Sequence, residues 1–303
     1  MDVSIIIVNY NTCNLLRNCL NSIFKHTEDI DFEVIVSDNG SKDDSLEMIK
    51  HEFPQVVLVE NNANLGFGTA NNRGLKIAKG KYIFYLNSDT LLLNNAVKMF
   101  YDYWETSPEK DEIGALGGNL LDENGNIIHS YGYFPRPLKE IFLFCRKIVL
   151  VYIKCVCRLF GCSLRLKKKN KTIQKTGEVE YVTGADLFLL NNELAYFDER
   201  FFLYYEETNL QWRLMKKGLK RLVIATPKII HLCGKSDSKT GDGCIDDYIS
   251  FGAVQTDLSR IRFIKYNISR FYAKILKWLL YWFWMTPGFV KKTKKYRTQI
   301  FNI

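Results

Sequence analysis

Polar side chains able to grip a phosphorylated ligand recur at four places in this 303-residue sequence. They are Asn9 and Asn11; Ser37, Asp38, Asn39 and Ser41; Asn61 and Asn64, with Gly66 closing their loop; and Asn87, Ser88 and Asp89. Each group follows an apolar run. Asp89 is the sharpest of them, an acid placed directly beyond the run at 82–86. A carboxylate there can meet Mg²⁺ or Mn²⁺, hard cations that take oxygen ligands and neutralise a departing diphosphate without a proton transfer. Capping a helix is the other use of an Asp at such a point. Asn, Asp and Gly also end strands for conformational reasons alone. Any one of these loops therefore reads as a turn, but the four together describe a polar pocket.

The elements that must position them follow from hydrophobic periodicity. Residues 3–8 form a short continuous apolar run, as a buried parallel strand requires. Residues 11–27 carry Leu15, Leu16, Cys19, Leu20, Ile23 and Phe24 at helical spacing. Further strands are expected at 32–37, 56–60 and 82–86. Helices are expected at 42–52 with Ser41 as N-cap, at 69–79 ended by Gly80, and at 94–103. Strand–helix alternation at this spacing implies an α/β fold with a mostly parallel, doubly wound sheet flanked by helices. In such a sheet ligands bind beyond the carboxyl ends of the strands, where the polar groups lie.

The pattern then changes. Runs at 116–121 and 127–133 flank a turn-rich stretch at 122–126, which suggests a hairpin or small antiparallel pair. Residues 179–191 read as a strand region, and 206–217 as a helix ended by Gly218. Short strands are expected at 222–225 and 228–231, and a polar loop at 236–247. No internal repeat is visible.

The order of these segments resembles the family 2 glycosyltransferases of the GT-A (Rossmann-like) fold, and within them the bacterial rhamnosyltransferase-like branch. VSIIIVNYNT is similar to the family's opening strand, VIVSDNGSKDDS to its nucleotide-binding loop and NANLGFGTANNRG to its glycine-asparagine signature. YLNSDT stands where the family has its metal motif. VTGADLFLL, FDERFFLYYEETNLQWRL and IIHLCGKS resemble the acceptor-side strand, the catalytic-base segment and the metal-binding histidine segment. The likeness spans roughly residues 3–236. It implies that Asp38 contacts the donor's pyrimidine, that Asn9, Asn64, Gly66, Asn71, Asn87 and Ser88 shape the nucleotide-sugar pocket, and that Arg73 reaches a phosphate. It implies Asp89 and His231 as ligands of Mg²⁺ or Mn²⁺. It also implies Glu207, preceded by Glu206, as the base that takes a proton from an acceptor hydroxyl. Glu207 and Asn209 stand where the family commonly has Asp, and Asn87 replaces the first Asp of the metal motif. An acid in the first helical turn is favourable to the helix dipole, and partial burial raises its pKa.

A hydrophobic fraction of 47% and a charged fraction of 25% are those of an ordinary globular chain. The opening residues read as a buried strand, not as a signal peptide or membrane span. Eight cysteines then point to a reducing compartment and free thiols; Cys155, Cys157 and Cys162 match no zinc spacing. The net charge of +9 is unevenly placed. Residues 137–171 carry ten Lys/Arg against one Glu, and 258–303 eleven and no acid, which leaves the remainder at −11. A catalytic domain over 1–236 is thus expected, with a basic helical insertion at 137–171. A loop and amphipathic helices follow at 237–303. Near the C-terminus Arg270, Lys274 and Lys277 form a basic stripe. Phe271, Tyr272, Ile275, Leu276, Leu279 and Leu280 occupy the other faces. The uncharged run at 278–290 is too short to span a bilayer, so an interfacial helix on an anionic leaflet is expected. At 138–166, Lys147, Lys154, Arg158 and Arg165 repeat the spacing, and a helix packed on the body with its lysines in water fits equally. Nucleic acid is not expected, since the body is acidic and no nucleic-acid motif is present.

The expected function is therefore an inverting, metal-dependent glycosyltransferase. It would act in the cytoplasm at the inner face of a bacterial plasma membrane, using a dTDP- or UDP-sugar and a glycan or lipid-linked acceptor in surface polysaccharide synthesis. Two alternatives stand beside it. One is a nucleotide-sugar-binding relative without turnover, motivated by Glu207, Asn209 and Asn87. The other is a peripheral membrane protein whose α/β body only binds a partner.

Overall fold

The computed structural model describes residues 1–159, 175–232, 250–285, 293–301 and 303. The expected loop at 236–247, Cys162, Arg165 and the basic residues at 291–292 lie outside them. The chain divides into two compact units. The first comprises Met1–Phe134, Thr172–Phe202 and Glu206–Ser236, and the second Pro135–Lys171, Leu203–Tyr205 and Asp237–Ile303.

The first unit opens with β1 (Val3–Asn9), α1 (Cys13–His26), β2 (Phe32–Asp38), α2 (Ser45–Glu52), β3 (Val57–Glu60), α3 (Phe67–Leu75) and β4 (Tyr82–Asn87). These four strands pair in parallel in the order β3-β2-β1-β4. In β1 the side chains alternate between two apolar layers. Val3, Ile5 and Ile7 meet Leu16, Leu20 and Ile23 of α1, whereas Ile6 faces the layer that includes Ile35, Ile83 and Tyr85. Both faces are covered, which is why the run reads as continuously apolar.

The sheet continues through β5 (Thr90–Leu92), β6 (Ile113–Leu121), β10 (Asp186–Leu190) and β11 (Lys220–His231), with helix α4 (Ala96–Thr106) between β5 and β6 in the chain. Its full order is β3-β2-β1-β4-β10-β6-β11-β5, with β8 (Gly177–Glu178) on β11. Strand β10 runs antiparallel between β4 and β6. The expected α/β layering around a mostly parallel sheet is thus present.

Several local expectations need correction. The hairpin at 116–133 is reduced to one bridge, Leu121 to Ile127. The small residues Gly114, Ala115, Gly117 and Gly118 let β6 be buried on both faces inside the sheet. Strand β7 (Tyr131–Gly132) pairs instead with β9 (Tyr181–Val182). The two short strands at 222–231 are one strand whose register shifts between Ile224 and Lys228. Helix α2 starts at Ser45, not Lys42, because Ser41 and Asp43 are engaged elsewhere. The Asp43 carboxylate accepts from the Cys13 amide at 2.9 Å and the Ser45 hydroxyl at 2.5 Å. Helix α6 (Glu206–Lys216) falls where expected.

The second unit holds α5 (Pro137–Leu159), α7 (Phe251–Asn267), α8 (Arg270–Trp284) and α9 (Arg297–Phe301). Ser250 caps α7, its hydroxyl accepting from the Ala253 amide at 3.3 Å. The apolar residues of the C-terminal helix, expected on the faces beside its basic stripe, divide. Ala273, Leu276, Leu280 and Phe283 are buried, while Phe271, Trp278 and Trp282 are 67%, 57% and 66% exposed. Among the described residues no helix is long and apolar enough to cross a membrane, and Cys13, Cys19, Cys145 and Cys157 are free thiols.

Candidate functional site

The carboxyl ends of β1 and β2 are tied together by Asp38, which is 1% exposed. One carboxylate oxygen accepts from the Gly40 and Ser41 amides at 2.9 and 2.8 Å, and the other from Asn9 Nδ2 at 2.8 Å. Three donors on one buried carboxylate make Asp38 the residue that closes this loop. Asn9 also donates to Ser41 Oγ at 3.0 Å, and its Oδ1 accepts from Thr12 at 2.6 Å. The Ser41 hydroxyl accepts from the Asn11 amide at 2.9 Å, so it serves the site loop instead of capping α2. Thr12 lies 3.1 Å from Ser88 Oγ, which brings the end of β4 into the same network.

Asn39 extends the network towards α3. Its Nδ2 donates to the Gly66 carbonyl at 3.1 Å, and its Oδ1 accepts from Asn61 Nδ2 at 3.2 Å. Asn64 Oδ1 accepts from the Gly66 amide at 3.1 Å. Gly66 has φ +86°, and a Cβ there would lie 2.3 Å from the Phe202 carbonyl oxygen. Only glycine fits both conditions. Asn71 donates back to the Phe67 carbonyl of its own helix at 3.1 Å, and Arg73 is exposed on that helix. Asn72, which sequence reasoning passed over, is the joint between α3 and the segment before α6. Its amide donates to the Phe197 carbonyl at 2.9 Å and accepts from the Phe197 amide at 2.9 Å.

Beyond β4, Asp89 is 5% exposed, and its Oδ1 lies 3.2 Å from His231 Nε2. Asn87 Nδ2 lies 3.4 Å from the same nitrogen. The pairing is built by β-structure, since Thr90 opposes His231 in the β5–β11 register and the Leu232 amide donates to the Asp89 carbonyl at 2.9 Å. Because strand β5 follows Asp89, the helix-capping alternative is removed. Asn87 Oδ1 is buried with no hydrogen-bond partner. Among the described residues no three His, Cys, Asp or Glu side chains group closely enough to hold a metal unaided. A cation that takes one carboxylate and completes its shell with substrate phosphates could be held by Asp89, with His231 and the Asn87 amide oxygen beside it.

Glu206 is buried and Glu207 half-buried at the start of α6. A Cβ at Gly184 would lie 3.2 Å from Glu207 Cβ and 3.4 Å from its Cγ, so the absent side chain makes room for the glutamate stem. Gln211, one turn further along α6, donates to and accepts from the Val182 backbone at 2.8 Å. The Ala185 carbonyl accepts from the Asn87 amide at 3.0 Å. Residues 184–185 therefore touch Glu207 on one side and the Asn87–Asp89–His231 group on the other. Asp186, also passed over, is fully buried. Burial pushes its carboxyl up to about 8, against the hydrogen bond from the Gly118 amide at 2.6 Å and the nearby His231. The only sequence signal for it was an acid inside an otherwise apolar strand. Burial also pushes the Cys19 thiol up to about 12; its sulfur is 3.6 Å from the Asn87 carbonyl and from Thr90 Oγ1.

Comparison with known proteins gives the chain a family and a shared fold. Residues 4–173 match the family described as Glycosyl transferase family 2. The poly(ribitol-phosphate) beta-glucosyltransferase of Bacillus spizizenii is 33% identical over 123 residues, which is 39% of this chain and 19% of that protein's length. Two solved structures share the fold. Residues 1–349 of S. aureus TarS, in complex with UDP-GlcNAc, superpose with a TM-score of 0.54 at 15% identity, covering 98% of this chain and 73% of that one. A mannosyltransferase from Pyrobaculum calidifontis, in complex with GDP-Man and Mn²⁺, gives 0.54 at 15% identity, covering 94% and 70%.

Proposed function

The chain belongs to glycosyl transferase family 2, and from that premise we propose that it transfers a sugar from a nucleotide diphosphate donor to a glycan or lipid-linked acceptor, with inversion at the anomeric carbon. The supporting observation is the link through residues 184–185 between Glu207 and the Asp89–His231 pair. Glu207 takes the proton of an acceptor hydroxyl. The oxygen forms a bond to the anomeric carbon as the bond to the diphosphate oxygen breaks on the opposite face, which inverts that carbon. Asp89 and His231, with the amide oxygen of Asn87, would hold Mg²⁺ or Mn²⁺, which supplies countercharge for the departing diphosphate. Asn9, Asp38, Gly66 and Ser88 shape the loops around the nucleotide, while Asn64, Asn71 and Arg73 lie on the donor side. The neighbours solved with UDP-GlcNAc and with GDP-Man and Mn²⁺ favour a nucleotide-sugar donor and a divalent cation. The rhamnosyltransferase-like segments make dTDP-rhamnose the first donor to try, and UDP-hexoses the next.

The exposed Phe271, Trp278 and Trp282 of α8 lie beside Arg270 and Lys274, with no acid in 258–303. That combination supports peripheral attachment to an anionic leaflet, where surface polysaccharide precursors are assembled. A second reading, a donor-binding relative of little or no turnover, is favoured by Glu207 and Asn87, and by Asn209, whose buried Oδ1 has no hydrogen-bond partner. Donor screening with Mn²⁺ or Mg²⁺ decides between the two. Turnover that falls by about 100-fold or more in Glu207→Gln and disappears in Asp89→Ala, with nucleotide binding kept in the former, supports the transferase. Full activity in either variant removes these assignments.

A further inference from the structure

Helix α7 reaches residues 203–205 through two consecutive side chains. Ser259 Oγ donates to the Leu203 carbonyl at 2.9 Å, and Arg260 Nε donates to the Tyr205 hydroxyl at 2.9 Å. Between these anchors Tyr204 and Tyr205 have φ values of 65° and 70°. Two adjacent non-glycine residues in the left-handed region are strained, and such strain persists only where the surroundings over-determine it.

Here the surroundings are a set of four charged side chains. Arg260 Nε lies 3.2 Å from Glu140 Oε2, and Arg260 Nη1 3.6 Å from Asp257 Oδ1. Lys147 Nζ completes the set 2.6 Å from Asp257 Oδ2. Two cations face two anions, so the set is neutral and drawn from α5 and α7 alone. Burial holds the Tyr205 phenol above its ordinary value, so the hydroxyl stays protonated and its oxygen accepts from Arg260. The Tyr205 ring also packs on Phe263 at 5.9 Å. A half-buried ionic set is poor evidence of a stability role, because apolar residues of like volume often serve a core as well or better. This one converges on a single strained turn, and the next two residues in the chain are Glu206 and Glu207.

We propose that Arg260, assisted by Ser259, is a positioning residue that fixes the left-handed Tyr204–Tyr205 turn and thereby the orientation in which Glu207 is presented. The inference rests on the reading of Glu207 as the base. The Arg260 guanidinium acts through Tyr205 and touches no reacting atom.

Tyr205→Phe removes only the hydroxyl and leaves the charges paired. Arg260→Met, which removes the cation facing Glu140 and leaves Asp257 paired with Lys147, is the harsher companion. In the full chain, four quantities are compared with wild type: donor turnover, KM for the donor, UDP affinity by calorimetry, and amide exchange across residues 203–209. The expected result for Tyr205→Phe is kcat lower by about tenfold, as a sub-ångström displacement of a catalytic group gives. KM and UDP affinity stay unchanged, and exchange quickens at 203–209. Unchanged kcat with unchanged exchange overturns the proposal. So does unchanged kcat with quickened exchange, or a parallel loss of kcat and UDP affinity, which would mark a general structural role. If wild type has no turnover with any donor, the reading of Glu207 fails on its own. Exchange in Tyr205→Phe then decides the clamp: quickened exchange supports it and unchanged exchange overturns it.

Discussion

Replacing Gly184 by alanine tests the placement of Glu207 without touching the glutamate. The added Cβ would sit 3.2 Å from Glu207 Cβ and 3.4 Å from Cγ, against about 3.5–4.0 Å for an ordinary carbon contact. The stem must therefore retreat by a few tenths of an ångström. The pressure falls at the root of the side chain, so the carboxylate at its tip moves further than the stem. A displacement approaching 1 Å at a reacting group is worth roughly 100-fold in rate, so kcat is expected to fall about 10- to 100-fold. That is a barrier increase of about 1.4–2.8 kcal/mol. The fold should feel much less. Gly184 is not among the glycines at positive φ, so alanine is tolerated there. Overpacking by one methyl, at about 1–3 kcal/mol, is partly offset by about 0.4–1 kcal/mol from the stiffer unfolded chain. The assay pairs kcat and donor KM with a urea unfolding curve. A variant with wild-type kcat would refute the reasoning, because it would mean that the glutamate at this contact does not carry the proton transfer. A variant whose unfolding midpoint collapses along with its activity would refute the claim that the contact is local.

Three further outcomes are expected. Gly66→Ala places a methyl against the Phe202 backbone at φ +86°; unfavourable φ and overpacking together should cost about 2–5 kcal/mol, and an unchanged unfolding midpoint would deny the close approach. The Cys19 thiol, pushed up to about 12 by burial, has on the order of 10⁻⁴ of its population as thiolate at pH 8; it should resist Ellman's reagent in the native protein and react on denaturation, so fast native labelling of Cys19 would contradict its burial. Trp278→Ala and Trp282→Ala, both at exposed positions of α8, should each weaken sedimentation with anionic vesicles by about tenfold, the equivalent of about 1.4 kcal/mol; equal sedimentation of the double variant would remove the proposed membrane face.

What the residues disclosed in order, and what they withheld, has a physical basis. The run at 3–8 and the helical spacing of Leu16, Leu20 and Ile23 are local patterns, and both became the elements expected. Asp38 and Asn9 ended adjacent strands and became hydrogen-bond partners, because parallel neighbours in register put their last residues side by side. Asp89 and His231 are 142 positions apart; family likeness put them together, and the β5–β11 register makes them neighbours at 3.2 Å. By contrast, Asp186, Asn72 and Gly184 matter through partners far along the chain. Nothing near Asn72 indicates that its amide will meet the Phe197 backbone. The hairpin expected around 122–126 failed for the opposite reason. Its turn residues were read correctly, and Asp122 does accept from the Asn124 and Asn126 amides. The flanking strand, however, had a better partner inside the sheet.

The segment at 182–186 shows how the candidate site residues are brought together. The parallel half of the sheet ends at β4, and β10 enters beside it in the opposite direction. A strand of reversed sense brings its amino-terminal end to the carboxyl ends of its neighbours. Residues 184–186 therefore arrive beside Asn87 and not at the far edge of the sheet. An open α/β sheet offers its ligand crevice beyond those carboxyl ends, and here one reversed strand fills part of it with selected groups. Val182 receives Gln211 of α6, Gly184 leaves space for Glu207, and Ala185 bonds to Asn87. A parallel strand in that place would put the same residues at the opposite end of the sheet, and the glutamate and the Asp89–His231 pair would share no intermediary. The reversal of β10 is accordingly the topological step on which the proposed chemistry depends.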